Sequence, residues 1–379
     1  MTGGGAVRIV RPPLSAAKGA ADVKVTYNEQ YERHLKTCFI GCGGHACRNI
    51  YPTFQYAPVD LAAVCDLDAA RAAHMARQFG ARAHYTDHRE MLDRERPEVV
   101  FIVTNYDKDA KPRYPQLACD AMRAGAHVWI EKPPAGCLAD VEMMMETSRK
   151  TGKWVMCGFK KMFFPANVRA HLLSRQEWFG AIRTITARYP QHLPGPEERD
   201  DPWKLVGFLD HIGHPHSLLR LLGGPLESIY VERQRDGAAV SALRFKNGAV
   251  GTLHLCPGIG GGSPLEHTEI VGEHGNVIVE NNIRVYCYSG GGPEGGYGVA
   301  GDFTDTGERG GAQFWEPEFS LGQLYNKGLF LLGYAPEVIS FCKHALAGTP
   351  PEKADLECIW EMTRIYEAYL QPTGKVIKI

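Results

Sequence analysis

The apolar run Thr37-Cys38-Phe39-Ile40, followed at once by Gly41-Cys42-Gly43-Gly44-His45-Ala46, constrains this chain more than any other stretch of it. A short run fit for a buried strand stops at a glycine-rich turn, and residues 46–56 beyond it are long enough for a crossover helix. Pro52 must bend that helix or stand in its first turn, because it lacks an N–H and clashes with the turn before it. A second apolar run, Asp60-Leu-Ala-Ala-Val-Cys65, ends at Asp66. Helical spacing over 69–79, a β-branched run over 98–103, a helix over 114–124 closed by Gly125, a strand over 126–130, a helix over 138–151 and a strand over 154–157 follow. Strands alternating with helices at this interval predict an open parallel sheet, its central run buried on both faces.

Beyond residue 158 the rhythm changes. Strands are predicted over 182–189, 227–234, 240–245, 249–255, 266–271, 276–279 and 283–288, with turns at Gly223-Gly224, Asp236-Gly237, Asn247-Gly248 and His274-Gly275-Asn276. This describes a mostly antiparallel sheet, one face covered by helices near 167–176 and 212–222. Residues 290–311 carry ten glycines and predict a long loop, a lid or an edge-covering excursion. Helices near 336–347 and 353–369 and a strand over 376–379 close the chain. The expected fold class is α/β: an atypical leader over 1–34, with short strands at 7–10 and 23–26, a Rossmann parallel sheet over 35–158, and an α+β unit over 159–379 with a large antiparallel sheet. That second unit is expected to bind substrate and build oligomers, and its C-terminal segment to pack back on the first.

The turn at Gly41 has the chemistry of a dinucleotide cradle. Gly41 permits the tight turn, Gly43 lets backbone approach a pyrophosphate, and Ala46 is small enough for helix–sheet packing. The following N-terminus supplies unpaired N–H groups to phosphates, which brings Cys42, Gly44 and His45 to the cofactor as well. Alone the motif is weak. Asp66, 23 residues after Gly43 at a strand end, strengthens it, because a carboxylate there accepts ribose hydroxyls and repels a 2′-phosphate. NAD is expected over NADP. Arg71 can stack on adenine or meet a 2′-phosphate, and Thr104 and Asn105 close the third strand on the same edge.

Glu131-Lys132-Pro133-Pro134 stands where the strand over 126–130 opens onto that edge, which adds Glu131 and Lys132 to the expected cofactor contacts. A lysine there can hydrogen-bond a hydroxyl and move a proton; the plain alternative is a surface lysine at a turn. Asp210-His211-Ile212-Gly213-His214-Pro215-His216 is the second constellation. On one helical turn Asp210 and His214 share a face, and Gly213 permits close approach of a ligand. Removing a hydroxyl proton while hydride leaves the same carbon needs a base, and a histidine suits this. Three histidines and an aspartate in seven residues are open to two other readings, a metal cluster or structural histidines. No further ligand set stands out and no C-x-x-C pair exists, so no metal is expected.

Composition narrows the partners. Net charge is -1, without a Lys/Arg block, which argues against nucleic acid. Eleven cysteines in a long chain do not resemble a disulfide scaffold and argue for a reducing compartment. No apolar run reaches membrane length and the N-terminus lacks a signal-type core, so a cytoplasmic protein is expected.

Taken together, Gly41–Ala46, Ala63-Val-Cys-Asp66-Leu-Asp68 with Arg71, Tyr85-Thr-Asp-His-Arg-Glu-Met-Leu92, Ala124-Gly-Ala-His-Val-Trp-Ile-Glu131-Lys132-Pro133 and Leu209-Asp210-His211-Ile212-Gly213-His214 resemble the glucose–fructose oxidoreductase/inositol dehydrogenase family, Gfo/Idh/MocA. Glu269-Ile-Val-Gly-Glu-His-Gly275 and Gly374-Lys-Val-Ile-Lys-Ile379 extend the resemblance over residues 36–379. It implies an NAD(P)-dependent oxidoreductase acting on a sugar, sugar nucleotide or cyclitol, a small polyhydroxylated substrate, and a homodimer or homotetramer. Lys132 would then be the proton-handling lysine, and Asp210 and His214 the family's pair. Three departures stand out. Thr104-Asn105-Tyr106 and a charged loop over 107–113 replace the usual Thr-Pro, Tyr114 or a neighbour replaces a helix-start histidine, and the segment before Asp210 is short and lacks a triple glycine. Two alternatives remain: redox-neutral glycoside cleavage by transient oxidation and elimination, and a non-catalytic dinucleotide-binding protein.

Overall fold

A computed structural model of the chain describes residues 29–260, 265–289, 312–317 and 327–379. Most of the expected leader, its strands at 7–10 and 23–26, and the glycine-rich stretch 290–311 lie outside the described residues.

Six parallel strands form the first sheet: β1 Leu35–Ile40, β2 Val59–Cys65, β3 Ala83–Tyr85, β4 Val99–Ile102, β5 His127–Ile130 and β6 Val155–Cys157. Their order is β3-β2-β1-β4-β5-β6, the doubly wound arrangement in which ligands lie beyond the strands' carboxyl ends. The β-branched run predicted at the centre is β4, all four of its residues fully buried between the helical layers. Those layers include α1 Ala69–Phe79, α2 His88–Glu95, α3 Tyr114–Arg123 and α4 Leu138–Thr151. Asp68 caps α1 by accepting from the Ala70 and Arg71 N–H groups, and Gly80 ends it in the left-handed conformation. The first crossover is no regular helix. A π-helical turn, Ala46–Ile50, runs into a 3-10 segment, Tyr51–Tyr56, with Pro52 in its first turn, one of the two places expected for it.

The second sheet has nine strands, β7 Ile182–Tyr189, β8 Leu226–Arg233, β9 Ala239–Phe245, β10 Val250–Leu255, β11 His267–Gly272, β12 Gly275–Glu280, β13 Arg284–Ser289, β14 Ala312–Trp315 and β15 Val376–Lys378. All its pairings are antiparallel except β7 with β10. Strict alternation along β9, with Ser241, Leu243 and Phe245 inward, marks one covered face. Helix α5 Pro165–Ser174 covers β12 and β13, and α6 Pro202–Gly223 covers β7. The short strands β3 and β14 were not expected, since three or four residues carry too little alternation to be read.

Helix α6 corrects the expectation most. It starts ten residues before the predicted 212, capped by the Asp201 carboxylate on the Trp203 N–H at 3.0 Å, and runs through Pro215. Helices α7 Lys327–Leu331, α8 Tyr334–Ala347 and α9 Leu356–Tyr369 follow. Both α8 and α9 return to the first sheet's side: α8 packs on the 3-10 segment and α9 on α4 and β6.

Candidate active site

The carboxyl ends of β1, β2, β4 and β5 put Gly41, Asp66, Thr104 and Glu131 on one edge. Gly41 adopts φ +104°, and a Cβ there would sit 1.8 Å from the Val103 carbonyl oxygen, so no other residue fits the turn. Gly43 and Gly44 differ: a Cβ on either meets nothing within 4 Å, because both face open space. Ala46 is fully buried. The Cys42 N–H donates to Asp66 Oδ2 at 2.8 Å, and the Asp68 N–H to Oδ1 at 3.0 Å, which pins the carboxylate at the strand end. The Cys42 thiol turns inward to the Tyr51 hydroxyl, 3.7 Å away, and burial pushes its pKa up to about 11. Its backbone, not its sulfur, faces the groove. Arg71 reaches Asp66 at 3.6 Å and Asp68 at 3.4 Å.

Two adjoining cavities run along this edge. One, of about 810 Å³, is lined by Asp66, Leu67, Arg71 and Gln116; the other, of about 540 Å³, by residues 43–46, Glu131, Lys132 and Asp210. Gly43, Arg71, Thr104 and Asn105 line both, so the two form a continuous groove. An extended dinucleotide fits these residues: open glycine backbone at the centre, a pinned carboxylate at one end, an ion pair at the other. Both backbone groups of Thr104 bond the Tyr114 hydroxyl, at 3.3 and 2.9 Å. Tyr114, at the position of the expected helix-start histidine, is buried structure beneath the groove.

Glu131 is almost wholly buried. It accepts from the Lys132 N–H at 2.7 Å and pairs with His45 Nε2 at 2.9 Å, while Asn49 meets His45 Nδ1 at 3.1 Å. This His45–Glu131 contact went unforeseen; 86 positions separate the partners, and only the sheet order brings them together. The Lys132–Pro133 peptide is cis. Lys132 Nζ donates to Asp210 Oδ2 at 2.8 Å, and the Tyr106 hydroxyl donates to Oδ1 at 3.3 Å, a second contact the sequence did not suggest.

Asp210 and His214 lie one turn apart on α6 and line a small recess with Lys132 and Phe159. His214 is 7% exposed and its Nδ1 has no hydrogen-bond partner. Burial, reinforced by Lys161, Lys132 and Lys160, holds its pKa well below the usual histidine range, so the ring is neutral at neutral pH. Lys161, itself buried, is ion-paired to Glu266. Gly213 lines the same recess, and a Cβ there would press on the Phe159 ring at 3.3 Å. The other two histidines separate cleanly. His211 is exposed, with Nδ1 on the Gly207 carbonyl at 2.8 Å, whereas His216 is buried against the Tyr369 hydroxyl at 3.0 Å. Among the described residues no three His, Cys, Asp or Glu side chains converge to hold a metal ion.

His216 yields a pH prediction. Burial lowers its pKa to about 3, so the folded chain stays unprotonated there while the unfolded chain takes up a proton below about 6.5. A depressed folded value for a base means stability falls with pH across that window. From pH 7 to pH 5 this one residue removes about 2 kcal/mol. Thermal melts should show a smaller acid loss in His216→Gln than in the parent; identical losses would contradict the assignment.

The two units that frame the groove belong to a known class of protein. Residues 35–159 match the oxidoreductase family with an NAD-binding Rossmann fold, and residues 168–278 the GFO/IDH/MocA C-terminal domain. The chain belongs to the Gfo/Idh/MocA oxidoreductase family, whose first domain is an NAD-binding Rossmann fold. It is 33% identical over 137 residues to a 4-carboxy-2-hydroxymuconate-6-semialdehyde dehydrogenase from Sphingobium sp., covering 36% of this chain and 42% of that protein. A myo-inositol 2-dehydrogenase from Thermotoga maritima is 25% identical over 237 residues, 58% of this chain and 68% of the relative. The match therefore spans less than half of the first relative and about two thirds of the second. An oxidoreductase from Agrobacterium radiobacter, solved with NAD+, L-tartaric acid and magnesium, has a TM-score of 0.72 at 15% identity, covering 91% of this chain and 98% of that one. At that identity the likeness is one of fold. Among the described residues no helix is long and apolar enough to cross a membrane.

Proposed function

We propose that this chain is an NAD-dependent dehydrogenase that interconverts a secondary alcohol and a ketone on a sugar, sugar nucleotide or cyclitol. One observation carries the reading: Lys132 is tied to Asp210 at 2.8 Å, in the groove that holds the open glycine backbone and beside a neutral, buried His214. The myo-inositol dehydrogenase relative supports a polyhydroxylated substrate. When bound, nicotinamide supplies the hydride acceptor.

The chain's own residues do the rest. The Lys132 ammonium, oriented by Asp210, donates a hydrogen bond to the substrate oxygen and stabilises charge developing there. The neutral His214 accepts the hydroxyl proton, an acceptance its depressed pKa leaves available down through mildly acidic pH. Flanking hydroxyls fall to the polar wall of the groove. The 159–379 unit contributes α6 and, on this reading, a dimer or tetramer contact through its sheet. All eleven thiols are free, which favours a reducing, cytoplasmic setting.

Asp66 supports NAD over NADP. Its carboxylate faces the groove, and Arg71, shared between Asp66 and Asp68, is drawn away from a 2′-phosphate. Dinucleotide titrations should favour NAD by about 10²-fold, and Asp66→Ala should narrow that preference to about tenfold or less. An unchanged ratio would remove Asp66 from cofactor choice. The function itself is tested by following reduced-nicotinamide absorbance with NAD and a panel of sugars, sugar nucleotides and cyclitols. A sustained rise with one of them is expected. Substrate consumption with no rise would point to redox-neutral glycoside cleavage, and no change across the panel would overturn the reading.

A further inference from the structure

We propose that Tyr106, delivered by the 105–113 loop, is a positioning residue that fixes the plane of the Asp210 carboxylate and so keeps it in register with Lys132. The loop departs from the family pattern at the point where the chain leaves β4. Instead of passing directly into α3, it folds back on itself. Tyr106 and Pro112 form an antiparallel bridge, and the Asp107 N–H donates to the Lys111 carbonyl at 2.9 Å. The Asp107 carboxylate accepts from the Asp109 and Lys111 N–H groups at 2.8 and 2.9 Å, and Arg113 Nε donates to the Tyr106 carbonyl at 3.3 Å. Such closure holds the base of the loop rigid, and Tyr106 sits at that base.

From there its side chain reaches α6, 104 positions away in sequence, and its hydroxyl donates to Asp210 Oδ1 while Lys132 donates to Oδ2. One donor on each oxygen fixes the rotation of the carboxylate about its Cβ–Cγ bond. With the phenol gone only the Lys132 contact on Oδ2 restrains that rotation, and Oδ1 is left without its donor. Burial and the Asp210 charge both push the phenol pKa up, so Tyr106 remains a donor through the neutral range. Tyr106 and Pro112 also line both cavities of the groove, which puts the same loop against a bound dinucleotide.

The kinetic part rests on the dehydrogenase reading, so the first test is independent of it. In the full chain, 3-fluorotyrosine at position 106 is titrated by fluorine NMR with Asp210 present and in Asp210→Asn. Loss of the facing charge should lower the titration midpoint of that resonance by about half a pH unit or more. An unmoved midpoint in a folded Asp210→Asn chain overturns the contact. With a substrate from the panel, Tyr106→Phe should lower kcat about tenfold, leave the KM for NAD within about threefold and leave the melting temperature unchanged. Wild-type kcat in Tyr106→Phe overturns the positioning role. Should no substrate turn over, the dehydrogenase reading fails alone and the fluorine titration still decides Tyr106.

Discussion

Lys132→Ala lowers kcat by about 10²–10³-fold, the range for losing one donor to a developing oxyanion, and leaves the dissociation constant for NAD within about threefold. The split follows from where the ammonium sits. It is mostly buried at the carboxyl end of β5, and its hydrogen bond goes to Asp210. The contacts that pin Asp66 beside the glycine turn do not run through Lys132, so removing it leaves them intact. What is lost is the donor to the substrate oxygen, and Asp210 keeps only Tyr106. Steady-state kinetics with a fluorescence titration of bound NADH separates the two effects. Equal turnover in the parent and the variant would remove Lys132 from the reaction.

His214→Ala lowers kcat by about 10²-fold or more, whereas His211→Ala stays within about twofold. Two histidines three positions apart on one helix thus give opposite results. His214 is buried and neutral in the recess with Lys132, while the His211 side chain is half exposed and occupied by the Gly207 carbonyl of its own helix. Because His214 is buried, His214→Gln and a thermal melt accompany the comparison, to show that the loss is chemical and not a loss of fold. Equal losses at both positions, or none at either, would contradict the assignment. His216→Ala belongs to a third kind: its partners are Tyr369 and, through that hydroxyl, Ser241, so it should cost stability.

The sequence made the first sheet legible because its signals are local and redundant. Apolar runs end in glycine, in Asp66 or in Glu131-Lys132-Pro133, and each ending falls on the ligand edge by the order of the strands alone. The antiparallel sheet was legible from turn residues, although its one parallel pairing, β7 with β10, carries no local signature. Asp210 and His214 could be set on one face by spacing. Telling His211, His214 and His216 apart needed the third dimension, since spacing cannot say which ring meets solvent, which a lysine cluster and which a tyrosine. Gly213 shows the same limit: spacing does not tell that the Phe159 ring packs where its side chain would be. The contacts that went unread, Tyr106 to Asp210 and His45 to Glu131, join residues 104 and 86 positions apart. Helix α6 was read short because its first ten residues, 202–211, bury only Phe208 and so carry little apolar periodicity.

The most direct test of the central claim follows one atom. A substrate from the panel, deuterated at the carbinol carbon, is incubated with the protein and NAD, and the dinucleotide is recovered and weighed by mass spectrometry. A net dehydrogenase leaves one deuterium in the reduced dinucleotide and a ketone product without it. Unlabelled dinucleotide, with the deuterium retained in or returned to the product, would contradict a net dehydrogenase.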